Sequence, residues 1–417
     1  MKNIYEKPLF LGLTHIGQVF SIGWSEKFNG CSVFDFNKEL LNKFENSKLT
    51  DEEPNLKKIY NKNKKKIYIC NSEKDIKNYK NIFLTIDTPL LKEGKPNYNY
   101  IKTYIRKSAK YFAKNANIII TSQVYCGFCD ELYKKILINR KDLNIIYMAE
   151  TLVMGNALKR FLEPERLIFG ARKKIKLFDM LKNFNCPIFI LSYKQAEMIK
   201  MAINLYLLTS VSYANLLDIY CREFGFKFSS INKAIKLDKR IGQFSYISPS
   251  LGISGGHLER DLFSIVKSSK SLIVKSIFSS FKQLSKIRMK LLIQLYEKLS
   301  KIENFKKIIW IGPSYKKVSF SILNSPFYHF RKYLHSQNVK LFCYDSYFDL
   351  KKNKIENIIK KIELKSFVKS LVILNYTNNH DSKKLKKLLK NNKIKVIDIG
   401  INKNLKISEK NIISLLN

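Results

Sequence analysis

The chain has few acidic residues, few histidines and no cysteine framework of the kind that cross-links small secreted proteins. Its seven cysteines are an odd number, and most are scattered along the 417 residues. That pattern argues against disulfides and indicates a reducing compartment. One C-x-x-C is present, at Cys126 and Cys129, but no second pair and no closely spaced histidines follow it. We therefore expect a cytoplasmic protein without a metal site.

Long uninterrupted apolar runs are also absent. The most apolar long segment, residues 201–220, is broken by Asn204, Ser210, Ser212, Asn215 and Asp218. A membrane-spanning helix needs about 20 predominantly apolar residues, so no membrane association is predicted. Near the start of the chain, Glu6, Lys7 and Pro8 interrupt the apolar stretch that a signal peptide requires, and we expect none.

Because acidic residues are few, the basic residues give the chain a large positive charge. There are 34 Asp and Glu against 76 Lys and Arg, so the formal net charge is +42. Such a charge attracts nucleic acid, acidic membranes and phosphorylated small molecules. The lysines, however, are spread over the whole length, and no basic segment forms a nucleic-acid-binding motif. Nucleic acid is therefore not favoured as a partner.

Short apolar runs alternate with helical segments through the first part of the chain. A helical stretch over residues 17–28 follows the first run. The strand candidates are residues 8–13, 31–36, 66–69, 82–86, 116–121, 143–148, 166–169 and 187–191. This alternation is typical of a parallel sheet that is covered by helices.

A helical region and a second strand–helix series follow. Residues 194–224 contain no Gly or Pro and have apolar residues at helical spacing, which predicts one long helix that joins domains or forms a dimer seam. More helix is predicted over 261–300, and the lysine-rich run 381–395 is interpreted as a solvated helix. Further strand candidates are residues 307–312, 339–344, 371–374 and 395–399.

These patterns predict an α/β protein with two parallel-sheet domains, which the family resemblance described below implies to be Rossmann-like. The expected amino-terminal domain is 1–192, and the expected carboxy-terminal domain is 304–417. Between them, 193–303 is expected to form a central helical region that contains the one long helix.

Glycines follow the first strand candidate in a spacing that suits a dinucleotide. Gly12 and Gly17 flank Thr14 and Ile16, and Asp35 ends the next strand candidate, roughly 20 residues further on. Such glycines allow a tight turn and close helix packing, while the acid holds the ribose. The middle glycine is replaced by Thr14, whose side chain is expected to crowd the pyrophosphate. We expect NAD as the cofactor, because Asp35 would repel the 2′-phosphate of NADP.

A series of short segments continues in chain order. They read IDTPL at 86–90, TSQV at 121–124, AETL at 149–152, GNA at 155–157, PER at 164–166, AEMIK at 196–200 and DKRIG at 238–242. In this order they resemble the segments TPL, S-T/Q-V, P-E-F-L, G-N-A, P-D-R, A-E-x-x-K and D-x-R-I-G of the UDP-glucose/GDP-mannose (nucleotide-sugar) dehydrogenase family. Residues 312–326 are similar to the family's G-L-A-F-K…R-x-S-P segment, so the resemblance covers essentially the whole length.

The resemblance implies an NAD-binding Rossmann domain, a helical middle with a dimer-forming helix, and a second Rossmann-like domain that holds the nucleotide sugar. Family members oxidise a primary alcohol twice with NAD, through an aldehyde held on a cysteine and then a thioester that water hydrolyses. By position, Lys200 and Asn204 would stabilise the developing oxyanion, and Glu150 and Asp261 would manage water and protons.

The resemblance also implies the remaining contacts and partners. Thr88 and Gln123 would join Gly12, Thr14, Ile16, Gly17 and Asp35 at the cofactor. The residues that would contact the nucleotide sugar are Arg240, Tyr246, Gly252, Gly255 and Gly256. A nucleotide-sugar substrate, a homodimer or higher homo-oligomer, and a place in polysaccharide biosynthesis are therefore expected.

The segment 252–261, GISGGHLERD, resembles the family loop G-x-G-G-x-C-x-x-K-D, which carries the nucleophilic cysteine. Counted back from Asp261, the cysteine position holds His257; aligned with the G-G-H-C version of the loop, it holds Leu258. Neither alignment leaves a cysteine in the loop.

Two hypotheses follow from the missing cysteine. In the first, His257 acts as the base for a single alcohol-to-aldehyde oxidation or an altered reaction on a nucleotide sugar, because imidazole titrates near neutral pH. In the second, the protein binds nucleotide or nucleotide sugar without turnover and has a regulatory role. If an acid is still formed, Cys126 is the first thiol to consider.

Overall fold

The computed structural model describes residues 7–50, 53–91, 95–254, 256–314, 322, 325–346, 350, 355–376, 379–389, 394–400 and 412–416. The chain forms two compact units, Met1–Ile203 and Asn204–Asn417. The finer division into 1–192, 193–303 and 304–417 stays a prediction.

An eight-stranded sheet forms the centre of the first unit. Its strands are β1 (Leu9–Leu11), β2 (Cys31–Phe34), β3 (Ile67–Ile69), β4 (Asn81–Leu84), β5 (Asn117–Ile120), β6 (Asn144–Met148), β7 (Leu167–Ala171) and β8 (Ile188–Leu191). The order across the sheet is β3-β2-β1-β4-β5-β6-β7-β8. The order reverses between β1 and β4, and doubly wound sheets have their ligand crevice at such a point. The predicted α/β class is confirmed.

Helices cover this sheet. They are α1 (His15–Lys27), α2 (Lys38–Glu45), α3 (Leu56–Asn63), α4 (Tyr98–Ala109), α5 (Phe128–Glu131), α6 (Ala157–Leu162) and α7 (Leu177–Leu181). Leu9 and Leu11 pack into one apolar core and Phe10 packs into the other, and none of the three is exposed. Because both faces of the sheet are buried, the strands are apolar at almost every position, which is why they were visible as continuous runs.

Two strands depart from the predicted all-parallel sheet. β7 runs antiparallel to β6, with Ile146 opposite Ala171 and Met148 opposite Phe169, and β8 then runs parallel to β7. A strand that is buried on both faces is apolar whatever its direction, so the apolar pattern did not reveal this reversal.

The second unit contains a five-stranded, fully parallel sheet with the order β10-β9-β11-β12-β13. Its strands are β9 (Lys307–Ile311), β10 (Leu341–Tyr344), β11 (Ser370–Leu374), β12 (Ile394–Asp398) and β13 (Ile412–Ser414). β13 was not predicted. Ile308 and Trp310 pack on one face and Ile309 and Ile311 on the other, so this sheet is also covered on both sides.

The long predicted helix is α8 (Tyr193–Glu223), and its last twenty residues belong to the second unit. The other helices of this unit are α9 (Phe228–Leu237), α10 (Gly256–Ser268), α11 (Leu272–Ile302), α12 (Pro326–Ser336), α13 (Leu364–Phe367) and α14 (Asn379–Leu389). None of the helices in the described ranges is both long and apolar enough to cross a membrane.

The helical structure predicted over 261–300 forms as two helices, α10 and α11. Ser271 caps the second one by accepting from the Val274 N–H. The lysine-rich run beginning at Asp381 was expected to be a solvated helix, and Lys383, Lys384 and Lys387 are indeed exposed on α14. Asp381 is the exception, because it is buried and accepts from the Tyr344 hydroxyl at 2.8 Å. Residues 390–393 of that run lie outside the described residues.

Asp218 is a buried charge among the helices of the second unit. Its carboxylate accepts from the guanidinium of Arg288 at 2.8 Å, from Arg222 at 3.1 Å and from the backbone N–H of Phe228 at 3.3 Å. Neither Asp218 nor Arg288 is exposed. Arg288 also donates to the Ser250 carbonyl at 3.0 Å, so this pair holds α8, α11 and the loop after Ser250 together.

We predict that Arg288→Met lowers the free energy of unfolding by about 3 kcal/mol, because Asp218 then keeps a buried charge with one fewer partner. Adding Asp218→Asn should recover part of the loss, and chemical denaturation followed by circular dichroism measures both. Arg240→Met is the control, since the Arg240–Asp238 pair is exposed and its loss should change stability little. Equal losses in Arg288→Met and Arg240→Met would contradict the prediction.

Candidate active site

The carboxyl ends of five strands meet at one edge of the first sheet. The turn of residues 12–17 follows β1, Asp35 follows β2, Thr88 follows β4, Gln123 follows β5 and Glu150 follows β6. Because the strand order reverses between β1 and β4, this is the edge at which such sheets bind dinucleotides. The structure therefore gathers the residues predicted for the cofactor at a single edge.

Gly12 and Gly17 are the points at which backbones come into contact. The φ of Gly12 is +108°, and a Cβ there would lie 2.4 Å from a methyl of Ile86. A Cβ on Gly17 would lie 1.9 Å from the carbonyl oxygen of Gly12. Only glycine fits at both positions, so α1 begins directly against the turn and presents its amino-terminal N–H groups, which bind phosphate in this class of fold. These residues fit a dinucleotide.

Asp35 is buried at the end of β2. Its carboxylate accepts from the backbone N–H of Leu13 at 2.7 Å and of Asn37 at 2.8 Å. Burial raises the pKa of Asp35, and the two backbone hydrogen bonds oppose that rise. A carboxylate has about four acceptor positions, so Asp35 keeps acceptor capacity for ribose hydroxyls while it fixes the turn through Leu13.

Thr14 is oriented differently from the sequence-based expectation. Its hydroxyl donates to the Thr85 carbonyl at 3.1 Å and accepts from the Asp87 N–H at 3.1 Å. The hydroxyl thus ties the glycine turn to the end of β4, rather than pointing only at the site of the pyrophosphate. Ile16 packs in the apolar core and is 8% exposed, which leaves its backbone as the group available to a phosphate.

The loops after β4 and β5 are fastened to each other. The Thr88 hydroxyl donates to the Gln123 carbonyl at 2.6 Å, and the Ser122 hydroxyl donates to the Ile86 carbonyl at 2.6 Å. Two residues predicted to contact the cofactor therefore also shape the edge. Among the described residues, no group of three His, Cys, Asp or Glu side chains could hold a metal ion.

Glu150 and Lys200, both predicted to be catalytic, lie together in the first unit. The Lys200 ammonium is 3.6 Å from the Glu150 carboxylate, and each side chain is 10% exposed. An ammonium held in such a partly dry position can stabilise negative charge that develops on a substrate oxygen. The carboxylate beside it can hold a water or accept a proton.

Glu197 was not predicted as a site residue. It is fully buried in α8, and its carboxylate accepts from the backbone N–H of Gly127 at 2.6 Å and of Cys129 at 2.8 Å. Burial raises the pKa of Glu197. The residue holds the loop after β5 in place. A carboxylate in the apolar beginning of a helix was the signal available in the sequence, because a buried charge requires partners.

The thiols of the C-x-x-C have an environment that disfavours reactivity. Cys129 is fully buried and Cys126 is half-buried, and burial together with the charge of Glu197 raises the pKa of both. A nucleophilic thiol needs the opposite shift. The surroundings of this pair therefore do not support a catalytic role.

The second unit brings together two other residues predicted to be catalytic. The side-chain amide of Asn204 donates to Asp261 at 2.7 Å, and both residues are buried. The loop between them is anchored at Gly252, whose carbonyl accepts from the Ser250 hydroxyl at 2.8 Å, and at the next residue, whose N–H donates to Ser285 in α11 at 2.9 Å.

The remaining predicted residues of this unit are less well grouped. α10 begins at Gly256, so His257 occupies its first turn, while the side chain of His257 and all of Gly255 lie outside the described residues. Arg240 is exposed and pairs with Asp238 at 2.7 Å. Tyr246 is 46% exposed.

Family models account for most of the chain. Residues 7–184 match the NAD binding domain of the UDP-glucose/GDP-mannose dehydrogenase family, and residues 194–286 match the central domain of the same family. The chain therefore belongs to the UDP-glucose/GDP-mannose dehydrogenase family, and its cofactor is NAD.

Individual relatives agree with this assignment. The chain is 27% identical over 365 residues to a UDP-glucose 6-dehydrogenase of Campylobacter jejuni. The aligned region covers 84% of this chain and 89% of the relative. It is 24% identical over 331 residues to a UDP-glucose 6-dehydrogenase of Rickettsia bellii, covering 76% and 75%.

Solved structures show the same fold. A UDP-glucose dehydrogenase from Pyrobaculum islandicum superposes with a TM-score of 0.83 at 18% identity, covering 96% of this chain and 95% of that chain. A UDP-D-ManNAc dehydrogenase from Pyrococcus horikoshii superposes with a TM-score of 0.80 at 18% identity, covering 94% of each chain.

The two hydrogen bonds of the Thr14 hydroxyl lead to a prediction about NAD binding. We predict that Thr14→Val and Thr14→Gly weaken NAD binding about tenfold, because each loses the two hydrogen bonds that order the turn. Thr14→Ser keeps the hydroxyl and is the matched control, with affinity close to that of the unchanged protein. Isothermal calorimetry measures all three variants; tighter binding by Thr14→Gly would instead support steric crowding.

Proposed function

We propose that this protein uses NAD to oxidise the primary alcohol of a UDP- or GDP-linked sugar. The observation that carries the proposal is the buried Glu150–Lys200 pair at the same sheet edge as the glycine turn. Bound NAD supplies the hydride acceptor. Lys200 and Asn204 stabilise the negative charge on the reacting oxygen, while Glu150 and Asp261 hold water or protons.

The number of oxidation steps depends on a thiol, and the second unit offers none that a substrate could reach. Residues 250–261 contain no cysteine. The two cysteines of this unit, Cys221 and Cys343, are 5% and 0% exposed. An imidazole cannot form the thioester that a thiolate forms. We therefore propose that the position of the family's cysteine is taken by His257 and that the reaction stops at the aldehyde.

The proposed step is balanced without a thiol. The C–H and O–H bonds of the alcohol break and a C=O bond forms. The hydrogen on carbon leaves as a hydride, which NAD held at the cofactor edge would accept, and the hydroxyl proton goes to the imidazole of His257 and then to water. Histidine is suited to this exchange because its ordinary pKa lies near neutral pH. The product is an aldehyde, which water converts reversibly to its hydrate.

We predict that incubation with NAD and a panel of UDP- and GDP-sugars yields an aldehyde or its hydrate, identified by mass spectrometry. Lys200→Ala should lower kcat about 100-fold or more, since it removes a donor to the developing oxyanion. Lys194→Ala, at an exposed position of the same helix, is the control. Unchanged turnover in Lys200→Ala would remove this role from Lys200. An acid product would contradict the single oxidation, and binding without any product would favour a regulatory role.

We also propose that the protein is a homodimer. Tyr206, Tyr213 and Tyr220 are 63%, 47% and 54% exposed and repeat at heptad spacing along α8, which places them on one face of the helix. Leu216 adds exposed apolar surface to the same helix, and the exposed Phe224 follows directly after its last residue. A contiguous apolar surface of this kind on one helix indicates a protein interface, and a second copy presents the same surface.

We predict that the double variant Tyr213→Glu, Tyr220→Glu sediments as a monomer in analytical ultracentrifugation, because paired copies would bring the new charges together without partners. Tyr68→Glu, at an exposed position of β3, should leave the sedimentation coefficient unchanged. A dimer that persists in the double variant would place the interface elsewhere.

The cellular setting is likewise a proposal. All seven cysteines are free thiols, which suits the reducing cytoplasm. An oxidised nucleotide sugar is an activated monosaccharide donor, so we propose that the product supplies polysaccharide biosynthesis.

A further inference from the structure

Glu53 is a buried carboxylate that joins two segments distant in sequence. One oxygen accepts from the imidazole Nε2 of His15 at 3.0 Å and from the backbone N–H of Gly155 at 2.7 Å. The other oxygen accepts from the backbone N–H groups of Ala157 at 2.9 Å and Leu158 at 3.4 Å. The side chain of Glu53 is 0% exposed.

Both segments belong to the cofactor edge of the first unit. His15 is the first residue of α1, directly after the glycine turn, and its side chain is 17% exposed. Gly155, Ala157 and Leu158 lie where the loop after Glu150 enters α6. Glu53 therefore connects the phosphate-binding turn with the loop that carries Glu150.

The beginning of α6 depends on this carboxylate. The N-cap residue, Asn156, makes no side-chain capping bond, although the first N–H groups of a helix have no partner within the helix. Glu53 accepts from two of them. A carboxylate offers about four acceptor positions, and the His15, Gly155, Ala157 and Leu158 contacts use four. A change in the hydrogen bond from His15 therefore alters the hydrogen bonds that Glu53 accepts from the loop and from α6, and the reverse also holds.

We propose that Glu53 is a positioning residue that couples occupation of the NAD site to the ordering of the 149–157 loop and hence to the placement of Glu150. The proposal rests on the NAD site of the proposed function. A phosphate at the amino end of α1 would fix the first turn, including His15. His15 then holds the Glu53 carboxylate in one position, and that carboxylate holds the N–H groups of the loop and of α6.

A purely structural role for Glu53 leads to a different expectation. In that case the carboxylate would cap α6 equally well with and without NAD, and His15 would be dispensable to the loop. Coupling instead requires that the hydrogen bond between His15 and Glu53 transmits cofactor binding to the loop, so that the loop becomes more ordered only when NAD is bound. Amide hydrogen exchange of the loop, measured with and without NAD, separates the two cases.

The experiment compares hydrogen–deuterium exchange of the 149–158 peptide in the unchanged protein, His15→Leu, His15→Gln and Glu53→Gln. In the unchanged protein, saturating NAD should slow exchange of this peptide about tenfold. His15→Leu lacks the donor and should bind NAD without that slowing, whereas His15→Gln retains an N–H donor and should restore it. Glu39→Gln, which loses an exposed pair with Lys43, is the control and should behave like the unchanged protein.

Glu53→Gln should lose the slowing and show faster exchange of the 149–158 peptide even without NAD. A glutamine has only one accepting oxygen, so either Gly155 or the N–H groups of α6 lose their acceptor. If that variant fails to fold, His15→Leu and His15→Gln still decide the question. Equal slowing in the unchanged protein and in His15→Leu would overturn the coupling. So would the absence of any slowing in the unchanged protein, including a failure of calorimetry to detect NAD binding.

The outcome is separable from that of the proposed oxidation. If NAD slows loop exchange through His15 but no nucleotide sugar is oxidised, the coupling is supported and the proposed reaction is wrong. If a sugar is oxidised while His15→Leu shows normal slowing, the reaction stands and the role of Glu53 is wrong.

Discussion

The contact between Gly17 and the carbonyl of Gly12 is the constraint on which the cofactor edge depends. With any side chain at position 17, a Cβ would lie 1.9 Å from that oxygen, and α1 would have to move away from the turn. The position of α1 in turn sets where its N–H groups, His15 and Thr14 lie. Thr14 then reaches the end of β4, and His15 reaches Glu53. The edge is therefore built outward from one backbone contact.

Buried carboxylates organise the loops around this framework. Asp35, Glu53 and Glu197 each accept from two or three backbone N–H groups in loops or at a helix start, while Asp218 accepts from arginines as well as from a backbone N–H. In a chain with a net charge of +42, the few acids include these structural acceptors. A buried carboxylate is stable only when its lone pairs are used, so each of these residues fixes the segments that donate to it.

The chemistry that the family implies is divided between the two units. Glu150 and Lys200 pair in the first, and Asn204 and Asp261 pair in the second. The loop of the second unit is held by Ser285 and, through Ser250, by Arg288, so its backbone is anchored although it contains no cysteine.

Local patterns in the sequence determined every described strand except β13, the long helix, the glycine turn and the strand-end Asp35. Burial on both faces and close backbone contact restrict the residue type at each of these positions. The tertiary structure alone decided the reversed direction of β7 and β8, the orientation of the Thr14 hydroxyl and the hydrogen bonds of Glu53 and Glu197. The backbone N–H donors to Glu53 lie 102 to 105 residues away, and no local pattern encodes a hydrogen bond of that range. Such partners exist only after the chain has folded and its loops have met.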